Sequence, residues 1–190
     1  MKLLEQLTTT PGVPGREHRI RALIEDYAKK HKLFDEMRTD AMGSLLCRRD
    51  ARPAKGAKKR KPRKVMIAAH MDQIGFVVRY IDDKGFLRLQ SVGGFDTRNL
   101  FARLVTVCTA TEDLVGVMNP AGKPVHIASP EDRKKVPEVK ELVVDLGIPA
   151  EEVKKKVQLG DMVVIKAPFT RVGSTVVGQC MDNRVACRID

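Results

Sequence analysis

The 190-residue sequence has no tryptophan, and aromatic residues make up only 4% of it. No apolar run in it approaches the roughly 18 residues a membrane-spanning helix needs, so a membrane partner is not expected. The opening Met1-Lys2-Leu3-Leu4-Glu5-Gln6-Leu7 carries an acid and an amide inside its apolar stretch, unlike a secretory leader. Cysteines are few: Cys47, Cys108, Cys180 and Cys187 form no Cys-x-x-Cys pair and no dense framework. Reduced thiols and a cytoplasmic location are the expectation from that usage. What the chain does have is 43% hydrophobic residues, enough for a core, in a length that suits one domain or two small ones.

Positive charge is in excess, with a formal net charge of +11, but it is not spread over the chain. Ten of the 35 Lys and Arg residues fall within residues 48–64, where Asp50 is the lone acid. A Pro/Gly-containing run of this kind between two strands reads as a solvated, mobile loop. It could also touch a polyanion. Base stacking, however, wants interleaved aromatics, and the loop has none.

The most informative stretch follows that loop. Val65-Met66-Ile67-Ala68-Ala69 reads as a strand buried on both faces, as inside a parallel sheet. It ends on His70, with Asp72 two residues on. In open α/β sheets, ligand sites lie beyond the carboxyl ends of such strands. A carboxylate that takes the proton of the second ring nitrogen is the usual way to hold a metal-binding imidazole. A purely structural histidine has the same local signature. Far downstream, Ser174-Thr175-Val176-Val177 reads as a strand and residues 184–190 as the opening of a helix. Asp182 therefore falls at a strand-to-helix junction, where it or Asn183 could simply cap the helix. A carboxylate has two oxygens and can bridge two cations, which a histidine nitrogen cannot.

The remaining segments sort by periodicity. Leu3, Leu4 and Leu7 share one helical face, and residues 8–15, with two prolines and two glycines, form a turn. Ile20, Leu23, Ile24 and Tyr27 recur at amphipathic spacing within a helix over residues 16–32, which places His18 and His31 on the surface. Residues 39–43 make a turn into the short strand Ser44-Leu45-Leu46-Cys47. After His70 the texture becomes short strands at 74–81, 86–90, 103–110, 114–118 and 162–167, with a hairpin signal at Asp82-Asp83-Lys84-Gly85. The charged segment 129–140 and a helix at 150–157 interrupt them. This pattern predicts a small, mostly antiparallel β-domain. His126 sits in one of its loops with no assigned role.

Taken together, Ala68-Ala69-His70-Met71-Asp72-Gln73-Ile74-Gly75, Ile81-Asp82-Asp83-Lys84-Gly85-Phe86-Leu87, Val92-Gly93-Gly94-Phe95-Asp96 and Met181-Asp182-Asn183-Arg184 form one ordered set. It resembles the TET-type glutamyl and deblocking aminopeptidases, often labelled cellulase M or endoglucanase M, from Thr10-Pro11-Gly12-Val13-Pro14-Gly15 onward. The resemblance implies an α/β fold: a phosphorylase/hydrolase-like metallopeptidase domain carrying an inserted small β-barrel-like domain. The implied boundaries are residues 1–73 for the first part of the metallopeptidase domain (with the basic loop 48–64), 74–167 for the insert and 168–190 for an incomplete return. It also implies two divalent metal ions, with zinc, cobalt and manganese all compatible with imidazole and carboxylate ligands. His70 would bind one metal, Asp182 would bridge both, and Asp72 would serve catalysis by orienting His70. The substrates would be peptides, and the β-domain would help to build a homo-oligomer. A cellulase label is at odds with this site, since a glycosidase needs two positioned carboxylic acids.

The resemblance has gaps. The family also uses an adjacent Glu-Glu pair, another carboxylate and a second histidine, all downstream of the Asp182 motif. Here residues 183–190 hold no glutamate and no histidine, and Glu151-Glu152 lies upstream in a charged helix. Gln73 stands where the family most commonly has glutamate, and Asn183 where it has aspartate. The expectation is therefore an aminopeptidase-family polypeptide that is truncated, with weak or no activity alone. The alternatives are a non-catalytic oligomerising scaffold and, ranked last, a polyanion binder acting through the basic loop.

Overall fold

A computed structural model of the chain describes residues 1–52, 63–122 and 125–188. Helix α1 (Lys2–Thr9) buries Leu4 and Leu7 and half-buries Leu3. It runs two residues into the turn expected from residue 8. The hydroxyls of Thr8, Thr9 and Thr10 donate to the carbonyls of Leu4, Glu5 and Gln6 at 2.9, 2.7 and 2.7 Å, which prolongs the last helical turn. Helix α2 (His18–Lys30) buries Ile20 and Ala28 and leaves Leu23, Ile24 and Tyr27 half-buried. His18 and His31 are exposed, the latter against the ring of Tyr27 at 4.3 Å.

Strands β1 (Glu36–Thr39) and β2 (Leu45–Arg48) form an antiparallel hairpin. Asp40 closes its turn by accepting from the Met42 and Ser44 amides. The sequence does not announce β1: Glu-Met-Arg-Thr is short, largely polar and mostly exposed. Of the basic loop, residues 53–62 lie outside the described residues.

The expectation for Val65-Met66-Ile67-Ala68-Ala69 needs correction. Val65, Met66 and Ile67 are 83%, 91% and 88% exposed, and no strand is assigned there. A doubly buried strand needs neighbours on both edges and layers on both faces. The described residues supply neither: outside the barrel, their strands form only two two-stranded pairs, β1 with β2 and Thr170–Val172 with Thr175–Val177.

The β-domain is a closed barrel. Its members are β3 (Gly75–Ile81), β4 (Leu87–Val92), β5 (Arg103–Cys108), β6 (Asp113–Pro120), β7 (Leu142–Asp145) and β8 (Met162–Ile165). Helix α3 (Pro130–Lys134) precedes β7, and α4 (Ala150–Lys156) follows it. The order round the barrel is β3-β4-β7-β6-β5-β8, every pairing is antiparallel, and β3 meets β8 to close it. Closure removes the exposed edges that an open six-stranded sheet would present. Inward residues alternate along the strands: Phe76 and Val78 on β3, Leu87 and Leu89 on β4, Val105 and Val107 on β5. Each such side chain contributes roughly 1.5–3 kcal/mol by leaving water. Phe76 also stacks on Phe95, with centroids 4.3 Å apart.

The hairpin expected at Asp82-Asp83-Lys84-Gly85 joins β3 to β4. The Asp82 carboxylate accepts from the Lys84 and Phe86 amides at 3.0 and 2.9 Å. Gly85 has φ of +87°, and a Cβ there would lie 2.8 Å from the Ala150 Cα. Only glycine meets both conditions. That close approach brings α4 onto the barrel, where its Val153, and Val157 just past its end, enter the core. The acids Glu151 and Glu152 in its first turn and Lys154, Lys155 and Lys156 in its last suit the helix dipole.

Strand β8 is buried on both faces, and this fixes the barrel to the rest of the chain. Val163 points into the barrel, while Met162 and Val164 pack outside it with Cys108 and Val13. Val13 is fully buried in that seam. Arg19 of α2 adds a two-point contact to Asp113 of β6 at 2.8 and 2.9 Å. As a half-exposed pair it is worth at most about 1 kcal/mol, so the apolar seam dominates. The chain ends its described course with a hairpin of β9 (Thr170–Val172) and β10 (Thr175–Val177), then α5 (Met181–Arg184). Of the helix expected over residues 184–190, the described part, to residue 188, is instead a set of tight turns. The amides of Ala186, Cys187 and Arg188 reach carbonyls only three residues back.

The seam leaves no room at Gly75. A Cβ there would meet Val13 Cγ1 and lie 2.9 Å from the Val163 carbonyl oxygen, whereas one at Gly94 meets nothing within 4 Å. Gly75→Ala should therefore cost about 1–3 kcal/mol in chemical denaturation, and Gly94→Ala no more than about 0.5 kcal/mol. Equal effects at the two positions would contradict the tight seam.

Candidate metal centre

Two loops far apart in sequence meet beyond the barrel. The first carries His70, Met71, Asp72 and Gln73 and leads into β3. The second carries Cys180 and Asp182 and forms α5. His70 Nδ1 lies 3.0 Å from Asp72 Oδ1, and His70 Nε2 lies 3.3 Å from Asp182 Oδ1. The imidazole thus bridges two carboxylates, one on each nitrogen. His70 is half-exposed, and the Asp182 side chain is 98% exposed. The Asp182 carboxylate is turned toward His70, and its backbone is extended, with φ/ψ of −86° and 108°. The Asp182–Asn183 peptide is cis.

The electrostatics of His70 follow from this placement. Partial burial is the largest single influence and disfavours the charged ring. The hydrogen bonds to Asp182 and Asp72, with their negative charges, together outweigh it and raise the pKa above the ordinary histidine value. An open cleft of about 550 Å³ lies alongside, bounded by His70, Asp72 and Asn183 on one wall and Glu17, Met42 and Ser44 on another.

Beneath these groups lies a residue to which the sequence assigned no role. Arg184 is fully buried. Its Nε donates to the Met71 carbonyl at 2.8 Å, and its Nη1 donates to the carbonyls of Leu7, at 2.7 Å, and Thr10. Burial pulls its pKa down from the ordinary arginine value, with Cys180, Cys187 and Asp72 offsetting part of that effect. Gln73 is also buried and accepts a hydrogen bond from the Cys180 thiol at 2.8 Å. Burial raises the pKa of that thiol to about 11, which keeps it protonated. The sequence signal for Arg184 was its place in the Met181-Asp182-Asn183-Arg184 motif, and nothing there said that its side chain would be buried.

His70 and Asp182 fit the role of metal ligands as far as they go. An imidazole nitrogen and a carboxylate oxygen lie side by side, and a second carboxylate holds the other ring nitrogen from behind. The set is short, however. Among the described residues no group of three or more His, Cys, Asp or Glu side chains is placed to hold a metal ion. Glu151 and Glu152 lie on α4, which docks on the barrel. His126 is exposed in a 3-10 turn, Val125–Ile127.

Comparison with known proteins places this geometry in context. Residues 52–189 match the family model for the M42 glutamyl aminopeptidases. The lysyl aminopeptidase of Pyrococcus furiosus is 30% identical over 174 residues, covering 90% of this chain and 47% of that protein. An aminopeptidase from the archaeon Desulfurococcus kamchatkensis has the same fold over 98% of this chain and 48% of its own, with a TM-score of 0.82 and 33% identity. The TET1 peptidase of Pyrococcus horikoshii, which can assemble into a tetrahedron or a large octahedral shell, is similar at TM-score 0.79 and 30% identity, covering 98% of this chain and 52% of its own. The chain spans about half the length of the relatives it matches.

The pairing of His70 has a measurable sign. Its folded-state pKa is raised, so the stability carried by the protonated ring is fully present below the unfolded histidine pKa. It is lost as pH rises through the folded one. Titration of the His70 ring resonances by NMR in metal-free protein should give a midpoint above that of a free histidine, and Asp182→Asn should lower it. A midpoint at the ordinary value, unmoved by Asp182→Asn, would contradict the bridged imidazole.

Proposed function

Because the chain belongs to the M42 glutamyl aminopeptidase family, we propose that it supplies part of the active site of a metal-dependent aminopeptidase that removes N-terminal residues from peptides. The observation that carries this reading is the convergence of His70 Nε2 and Asp182 Oδ1 at 3.3 Å, with Asp72 held on the other ring nitrogen. His70 and Asp182 would hold divalent metal, Asp182 serving two ions with its two oxygens. Such ions supply an acidified water and a polarised scissile carbonyl when bound.

The chain's own residues would do the rest by placement. Asp72, paired with Nδ1, would hold the ring so that Nε2 is the nitrogen left for a metal. The cleft beside His70 gives a peptide N-terminus access. Zinc, cobalt and manganese all suit this donor set. The proposed division is residues 1–73 and 168–190 for the catalytic domain and 74–167 for the barrel, which would make subunit contacts in a homo-oligomer. The assembling peptidase of Pyrococcus horikoshii supports that last point by likeness.

Two donors are fewer than the three or four that a zinc site ordinarily has. We take the remaining ligands and the general base to come from polypeptide outside these 190 residues, in the same chain or another. The exposed Val65, Met66 and Ile67 support this, because they form an apolar edge suited to further strands. The 190-residue chain alone should therefore bind zinc or cobalt weakly and turn over aminoacyl substrates little or not at all. Calorimetric titration should show that His70→Ala and Asp182→Ala each abolish the residual binding. Full metal occupancy with brisk peptide turnover by this chain alone, or binding indifferent to both substitutions, would refute the proposal.

A further inference from the structure

Resting on the reading of His70 and Asp182 as metal ligands, we propose that Arg184 is a positioning residue whose buried guanidinium sets the distance between their two loops. Arg184 lies two residues after Asp182, and its own amide is tied to the Cys180 carbonyl at 3.2 Å. Its side chain crosses to the other loop and holds the carbonyl of Met71, the residue between His70 and Asp72. The rest of the fork is anchored on the N-terminal segment. Nη1 reaches Leu7 and Thr10, and Nη2 lies 3.4 Å from the Gly12 carbonyl. That same carbonyl accepts from the Gln73 amide at 2.9 Å, so Gly12 touches both sides of the junction.

A guanidinium is planar and rigid, with five donors in fixed directions. Carbonyls gathered around it are held at spacings set by its shape. A lysine could keep the charge but could not span Met71, Leu7 and Gly12 together. The N-terminal segment is itself fixed to the barrel through Val13, so the clamp refers both ligand loops to one rigid body. Gly12 is shaped to admit the clamp: a Cβ there would lie 2.8 Å from Ile20 Cγ2 and 3.2 Å from Arg184 Nη2. The Cys180–Gln73 contact is a second strap between the same two loops.

The test uses the full chain with cobalt(II) as the probe, read by its visible absorption bands and its binding constant. Arg184→Lys should weaken cobalt binding about 10–100-fold, the usual cost of losing an outer-shell partner, and should shift the bands. Met118→Ala, which opens the barrel core far from the site, should lower thermal stability and leave both readouts unchanged. Gly12→Ala keeps the guanidinium but crowds it, and should shift the bands in the same direction if Arg184→Lys does not fold. If wild-type protein binds no cobalt, or if His70→Ala binds it normally, the metal reading itself fails. The clamp is then judged on the His70 ring resonances of metal-free protein, which Arg184→Lys or Gly12→Ala should move and Met118→Ala should not. Wild-type bands, affinity and resonances in the folded Arg184 variant, or in Gly12→Ala where that variant does not fold, would overturn the inference. Equal shifts in Met118→Ala would do the same.

Discussion

A cation withdrawn from water needs acceptors, and the carbonyls around Arg184 are what meets that need here. They come from helix α1, from the loop after it and from the peptide between His70 and Asp72. Leaving any of them without a donor would be costly, so the three segments and α5 form one unit around a single side chain. The histidine and the two aspartates lie on the solvent side of this unit. The exposed chemistry is thus supported by a buried polar network rather than by an apolar core.

The barrel complements that network. Its interior is an ordinary alternation of inward aliphatic residues, closed by the β3–β8 pairing and plugged by Val153 of α4. What links it to the ligand loops is the outer face of β8, where Met162 and Val164 take up Val13. Gly75 begins β3 in the same seam, only a few residues after His70. Movement of the barrel against the N-terminal segment would therefore be felt at the ligand loops, because both are anchored around residues 12 and 13.

The parts of this arrangement that were legible in the sequence are those specified by short-range chemistry. The Asp82–Gly85 turn is one, since an Asx side chain and a positive-φ glycine identify a hairpin on their own. Short strand-like runs at close intervals, such as residues 74–81 and 103–110, marked the barrel strands. His70, Asp72 and Asp182 were legible as a set, and the structure brings them together, although their catalytic and metal roles remain the proposal made above. The misses have a common cause. β1 is polar, and β7 (Leu-Val-Val-Asp) follows a charged segment that masked it; both exist because a partner strand pairs with them. Val65 to Ala69 failed in the opposite direction, having the composition of a buried strand without the neighbours that bury one. Arg184 was illegible because its partners are backbone carbonyls, which every residue carries.

The most direct test of the account is a crystal structure of the zinc- or cobalt-soaked protein with anomalous scattering recorded at the metal edge. The account predicts an anomalous peak about 2.0–2.2 Å from His70 Nε2 and from a carboxylate oxygen of Asp182, with Asp72 still on Nδ1. A peak elsewhere on the chain, or a His70 that stays paired with Asp182 and metal-free at saturating concentration, would contradict it.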